Sequence, residues 1–191
     1  MIALIVILSY ILGSIPFGFI IGKVIFKTDL RKLGSGNVGA TNALRNFGRL
    51  AGFTTFLFDF LKGSLACYLG EKFGGELGQA LAMFFVVIGH MYSFILKFKS
   101  GKGVATSFGA LLQIDYRFAL VLLTIFIVLV LIFRIVSLSS IITAVIAAIL
   151  AVFTYKLSYI SLAIILIASM VVYKHKDNIR RLKLGEEKKI F

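Results

Sequence analysis

Seven apolar runs, at about 2–25, 50–70, 78–97, 103–114, 118–133, 135–155 and 157–173, are separated by short segments that hold most of the chain's charge. This succession constrains the fold more than any single motif. A helix crossing about 30 Å of hydrocarbon needs about 20 largely apolar residues. Hydrophobic residues make up 60% of the chain, against about 45–50% in soluble domains. Residues 1–191 therefore read as a single all-α domain, a polytopic membrane bundle of about seven transmembrane helices. Five is the alternative, because the 103–114 run is short. The first run lacks a basic start and a small-residue cleavage site, so it reads as a span rather than a cleavable leader. No internal repeat or low-complexity linker divides the chain.

Charge sets the orientation. With the N-terminus outside and every run crossing, Lys72, Arg117 and Lys156 fall on one side and Lys62 inside a span, leaving 17 of the 21 Lys and Arg on the other side. Basic residues gather in cytoplasmic loops, so the C-terminus is expected there too. The net charge of +13 then reflects orientation and anionic lipid, and calls for no nucleic acid. The basic tail after Tyr173 spaces Ile179 and Leu182 for one helical face and is expected at the membrane surface. The single Cys67 excludes an intramolecular disulfide and a cysteine-based metal site. It is expected to pack as a small hydrophobe.

Three polar islands share the expected cytoplasmic side: GSGNVGATN (34–42) with Arg45 and Arg49, KFKSGKGVAT (97–106), and HKDNIRRLKLGEE (175–187). Glycines let backbone N–H groups approach an anion closely. Small residues leading into a helix direct its N-terminus at that anion, and Arg adds a fork matched to phosphate oxygens. One such island is ordinarily a turn, and basic loop residues ordinarily meet lipid headgroups. Three on one face point to a phosphate-type site.

Standard phosphate and hydrolase motifs are absent. A P-loop would need glycine where Leu96 stands, and there is no GxSxG elbow. His90 and His175, the only histidines, form no zinc motif. Asp59 and Lys62 stand at i, i+3 inside the second run and are expected to form a structural ion pair. In RIVSLSS (134–140) the serines are expected to cap a helix rather than reach a phosphate.

Together GSGNVGATN, DFLKG (59–63), GHMY followed by GKGVAT (89–106), VSLSS (136–140) and HKDNIRRLKLGEE resemble the bacterial acyl-phosphate:glycerol-3-phosphate acyltransferase family, from SIPFG (14–18) to Glu187. The glycerolipid acyltransferase class that places Asp five residues after His is not the one resembled, since neither histidine has that partner. The resemblance implies transfer of a fatty acyl group from acyl phosphate to the 1-hydroxyl of glycerol-3-phosphate. The products are lysophosphatidic acid and phosphate, and the step is the first acylation of bacterial phospholipid biosynthesis. It also implies a multi-pass protein of the bacterial cytoplasmic (inner) membrane, monomeric, with membrane lipid around it and no cofactor or metal.

Carried over from the family, Ser35, Arg45, Lys102, His175 and Asn178 are the expected catalytic residues. Gly34, Gly36, Asn37, Thr41, Asn42, Gly101, Gly103, Ser140, Arg181 and Glu187 are expected to bind substrate. Ser93 stands where the family commonly has proline, and Ser100 replaces a glycine, which puts the backbone path at 99–101 in question. Acyl phosphate is a mixed anhydride with a good leaving group, so direct attack needs orientation and charge stabilisation rather than a covalent nucleophile. The base is His175 or a substrate phosphate, whose pKa near about 6 suits the task. The phosphate is preferred, because a histidine beside several cations has a lowered pKa and serves to donate or to position. The rival class is a small-organophosphate transporter, which charges such as Asp59 and Lys62 inside a span would suit.

Overall fold

The computed structural model describes residues 1–190. Nine α-helices occur among them: α1 (Ile2–Ser14), α2 (Phe17–Val24), α3 (Ala40–Phe47), α4 (Arg49–Met91), α5 (Val104–Ile114), α6 (Tyr116–Phe133), α7 (Val136–Tyr155), α8 (Tyr159–Lys174) and α9 (Lys176–Lys183). No strand is present among the described residues. Pro16 explains the first break, since it has no N–H to continue α1.

The 43 residues of α4 would reach about 65 Å if straight, twice the hydrocarbon thickness. They do not stay straight. Gly75 takes φ 59° and ψ −153°, a left-handed geometry that glycine adopts at little penalty. The arms 49–74 and 76–91 fold back on one another, bringing Cys67 Sγ to 3.9 Å from the Gln79 carbonyl. A Cβ on Gly70 would press on Ala82. Cys67 is buried in this seam, in the packing role expected of it.

The second arm is the centre of the bundle. Met83, Val86, Val87 and Met91 are each fully enclosed, and Leu122, Ile164, Ile167 and Val171 pack around them. Helices cross the two arms at backbone distance where side chains vanish. Gly13 of α1 abuts the Val86 main chain, and Gly109 of α5 abuts Phe60 of the first arm. Small residues at such crossings give the close packing on which association in lipid depends. Ile7, Ile11, Val128, Leu131, Ile149 and Phe153 lie exposed on the outside, where lipid is the solvent.

By length and composition four stretches qualify as spans: Ile2–Val24, Arg49–Leu96, Tyr116–Phe133 and Val136–Tyr155. A fifth is Tyr159–Lys174 with Lys176–Lys183 if that pair, bent by 53°, counts as one. The difference from seven apolar runs has a physical cause. Both arms of α4 fall in a single helical stretch, and the 11 residues of α5 reach only about 16 Å. In RIVSLSS no serine side chain caps α7. Ser139 and Ser140 donate instead to carbonyls one turn back, Ile135 at 3.0 Å and Val136 at 2.8 Å.

Candidate active site

The three polar islands meet at one end of the bundle. They surround a cavity of about 750 Å³ together with the adjoining ends of α4, α5, α6 and α7.

The first wall is the loop between α2 and α3, and Asn42 builds it. Its buried carboxamide donates to the carbonyls of Leu33 (3.0 Å) and Asn37 (2.8 Å). Its Oδ1 accepts from the Ser35 N–H at 3.1 Å and from Asn46 at 3.0 Å. Gly34 lies directly over that oxygen at φ 55°, where a Cβ would strike it. The side chain of Asn42 is thus occupied in shaping the loop, while Ser35, Asn37 and Thr41 border the cavity. Gly36, at φ 71°, turns the chain outside it. Arg45, in the last turn of α3, reaches across the mouth and donates to the Lys188 carbonyl at 2.9 Å.

The second wall is the loop before α5. Gly103 takes φ 85° at the helix N-cap and borders the cavity with Lys102, whereas Gly101 lies behind them. Lys102 Nζ donates to Asn178 Oδ1. Burial lowers the Lys102 pKa to about 8, with Arg181 and Arg45 adding to the effect and Glu187 opposing it.

The third wall begins at the break between α8 and α9. His175 is buried, and its Nδ1–H donates to the Val171 carbonyl at 2.7 Å. This leaves Nε2 unprotonated in the neutral ring. Burial, then the charge of Lys102, brings the His175 pKa down to about 4, so the ring is neutral across the physiological range. Asn178 passes the Lys102 contact on to Glu187 Oε1 at 2.5 Å. That carboxylate also accepts from Ser137 at 2.7 Å and from Arg181 at 2.6 Å. Burial pushes its pKa up, but these donors outweigh it and hold Glu187 below its ordinary value. Ser140 borders the cavity one turn from Ser137.

Two cations stand out in this arrangement. Arg181 is paired with Glu187, but among the described residues Lys102 and Arg45 form no ion pair; amide and carbonyl oxygens are their hydrogen-bond partners. A site that holds positive charge against neutral acceptors is ready for an anion. The same cavity is also lined by apolar side chains, Phe56, Phe108, Leu123, Phe126 and Val130. The cavity therefore suits an amphiphile with an anionic head. No cluster of three or more His, Cys, Asp or Glu side chains that could hold a metal ion occurs among the described residues.

The profile of the glycerol-3-phosphate acyltransferase family matches residues 3–185. The chain belongs to that family. A glycerol-3-phosphate acyltransferase of Carboxydothermus hydrogenoformans is 48% identical over 191 residues, covering 100% of this chain and 97% of the relative. Another, from Geobacillus kaustophilus, is 42% identical over 190 residues, covering 100% and 96%. The fold matches the glycerol 3-phosphate form of PlsY (YgiH), an integral membrane glycerol 3-phosphate acyltransferase, with a TM-score of 0.94 at 36% identity, covering 98% of this chain and 94% of that one. The lysophosphatidic acid form of the same enzyme gives 0.89 at 35%, with the same coverage.

This acyltransferase is thus a multi-pass membrane protein. Thirteen of the fifteen expected site residues border one cavity, Gly36 and Gly101 being the exceptions. Ser100 leaves the loop path intact, because the left-handed residues there are Lys97, Phe98 and Gly103. Sequence reasoning missed Ser137, which reaches Glu187 where Ser140 was expected to act, although the two share a helix face at i, i+3. It also missed His90, and Asp59 as part of the lining. The expected Asp59–Lys62 pair is present at 2.8 Å, but its carboxylate end borders the cavity.

Proposed function

We propose that this acyltransferase moves a fatty acyl group from acyl phosphate to the 1-hydroxyl of glycerol-3-phosphate. It forms lysophosphatidic acid and inorganic phosphate in the first acylation of phospholipid biosynthesis. The observation that carries this reading is one cavity in which, among the described residues, Lys102 and Arg45 form no ion pair and which apolar side chains also line. Its likeness to the glycerol 3-phosphate and lysophosphatidic acid forms of PlsY supports the acceptor and the product. All seven apolar runs cross the inner membrane of a bacterium in this reading, with the N-terminus outside and the cavity on the cytoplasmic face. The protein acts as a monomer and without a cofactor.

The reaction proceeds by direct attack. The glycerol 1-hydroxyl oxygen bonds to the acyl carbonyl carbon, the bond from that carbon to the phosphate oxygen breaks, and the hydroxyl proton ends on a phosphate oxygen. Lys102 and Arg45 stabilise the phosphate charge; the Ser35 hydroxyl and the loop N–H groups orient it. His175, neutral and with Nε2 free, accepts a hydrogen bond from the attacking hydroxyl. With a pKa of about 4 it is a weaker base than a substrate phosphate, whose pKa lies near about 6. The phosphate therefore takes the proton and the imidazole aligns the nucleophile.

The test is purified protein given palmitoyl phosphate and glycerol-3-phosphate. Phosphate and lysophosphatidic acid are expected in equal amounts, and acyl-CoA or acyl-carrier protein should yield neither. Product from acyl-CoA alone would overturn the donor assignment. Uptake of glycerol-3-phosphate into liposomes without turnover would favour a transporter.

A further inference from the structure

The cavity floor carries charges that the reaction just described does not use. Asp59 and Lys62 lie on the first arm of α4 and His90 at the end of the second, with 2%, 3% and 5% of their surfaces exposed. Lys62 Nζ lies 2.8 Å from Asp59 Oδ1 and donates to the Ile15 carbonyl at 2.8 Å. That carbonyl belongs to the break between α1 and α2, so the lysine is tied to the scaffold. His90 Nδ1 lies 3.3 Å from the same Asp59 oxygen. Asp59 and His90 border the cavity and Lys62 does not. Ionisable groups this deep in a membrane bundle are costly and mark function by default.

The far edge of the His90 ring shows what they do. A Cβ on Gly101 would collide with His90 Nε2, and the Gly101 N–H donates to the His90 carbonyl at 3.1 Å. Ring and main chain of His90 therefore bracket the residue that precedes Lys102. Gly101 has no left-handed φ, so its lack of a side chain is a matter of space. The turn after His90 is anchored independently. Lys174 donates to the Met91 carbonyl at 3.0 Å, Tyr10 to the Tyr92 carbonyl at 2.9 Å, and Ser93 to the Ser14 carbonyl at 2.5 Å. A rigid turn thus presents the ring to a loop whose next side chain is the half-buried cation of the site.

We propose that Asp59 and His90 are positioning residues for Lys102. The buried carboxylate orients the imidazole as a plate behind Gly101, and the plate sets where the Lys102 ammonium meets phosphate. The inference rests on the phosphate reading of the cavity.

A double-mutant cycle tests it, using Gly101→Ala, His90→Ala and the two combined, with thermal unfolding of each variant as the folding control. A misplacement of about 1 Å lowers turnover by roughly 10²-fold, so each single variant should lose kcat/KM on that scale. The combined variant should recover much of the Gly101→Ala loss, because the new methyl group fits the space the ring vacates. Asp59→Asn, which keeps the shape, should raise KM for glycerol-3-phosphate; it also removes the counter-charge of buried Lys62, so its unfolding temperature should fall and KM is measured below that temperature. Multiplying losses in the combined variant, or full activity in folded His90→Ala, would overturn the proposal. If His90→Ala does not fold, His90→Asn takes its place in the cycle. If the unsubstituted protein turns over no acyl phosphate, the donor assignment fails separately. The cycle is then read by equilibrium binding of glycerol-3-phosphate, with the same recovery expected.

Discussion

The two ends of the bundle handle polar groups in opposite ways. At the end away from the cavity, polar side chains find partners close in the chain, Tyr155 with Asp115 being the exception. Asp115 accepts from the N–H groups of Arg117 (2.9 Å) and Phe118 (3.1 Å) at the start of α6, and from Tyr155 at 3.0 Å. Ser158 and Ser161 form a reciprocal capping box on α8, and Gln79 donates to Glu71 at 3.1 Å. At the cavity end three partnerships join residues far apart in the chain. Lys102 meets Asn178, Arg45 meets Lys188, and Ser137 meets Glu187. Local caps stabilise helices whatever the rest of the fold does. Distant partners that leave two cations facing neutral oxygens form only when the bundle closes, and what they leave unsatisfied is charge available to a ligand.

The comparison breaks most visibly at Lys102. Lys102→Met removes the half-buried cation and leaves Asn178 Oδ1 without its donor. Loss of one preorganised charge-stabilising group lowers kcat by roughly 10²–10³-fold, so phosphate release should fall on that scale while the unfolding temperature holds. An unchanged kcat would place the site's charge elsewhere.

Much of this contrast was legible in the residues. The apolar runs and the 17-to-3 split of basic residues marked a membrane bundle, and the glycine–basic islands marked the end that holds the cavity. Three things were not legible, each for a physical reason. The runs at 50–70 and 78–97 were read apart, but nothing in the residues singled out Gly75, one of 18 glycines, as the turn between them. The role of Asn42 depended on its amide meeting Leu33, Ser35 and Asn37 of a loop that has no regular structure to predict. His90 reads as a lone histidine in an apolar run, and only packing against Gly101 connects it to Lys102.

A smaller effect sharpens the comparison through pH. Lys102 has a pKa of about 8. It carries its charge below that pH and loses it above, so kcat/KM should fall about tenfold per pH unit on the alkaline side once Lys102 deprotonates. Bound phosphate favours the charged form, so the corresponding limb in kcat should lie at higher pH. His175, with its pKa of about 4, is neutral from pH 5 upward and should add no acidic limb there. Lys102→Arg, which keeps its charge at every accessible pH, should flatten the alkaline limb even if its overall rate is lower. An alkaline limb that persists unchanged in that variant would assign the titration to another group.

The smallest effect on turnover belongs to the opposite end. Asp115→Ala removes the α6 cap and the Tyr155 partner together. Loss of an N-cap destabilises a helix by about 1 kcal/mol, and the Tyr155 hydroxyl, half-buried, forfeits a hydrogen bond to a charged acceptor. The unfolding temperature should drop while kcat and both KM values stay within about twofold, since surface and capping changes distant from a site add independently. A change in KM for glycerol-3-phosphate in this variant would mean that the two ends are coupled along α5 and α6, the helices that run from Asp115 to the cavity. The division between a self-contained end and a ligand-ready end would then fail.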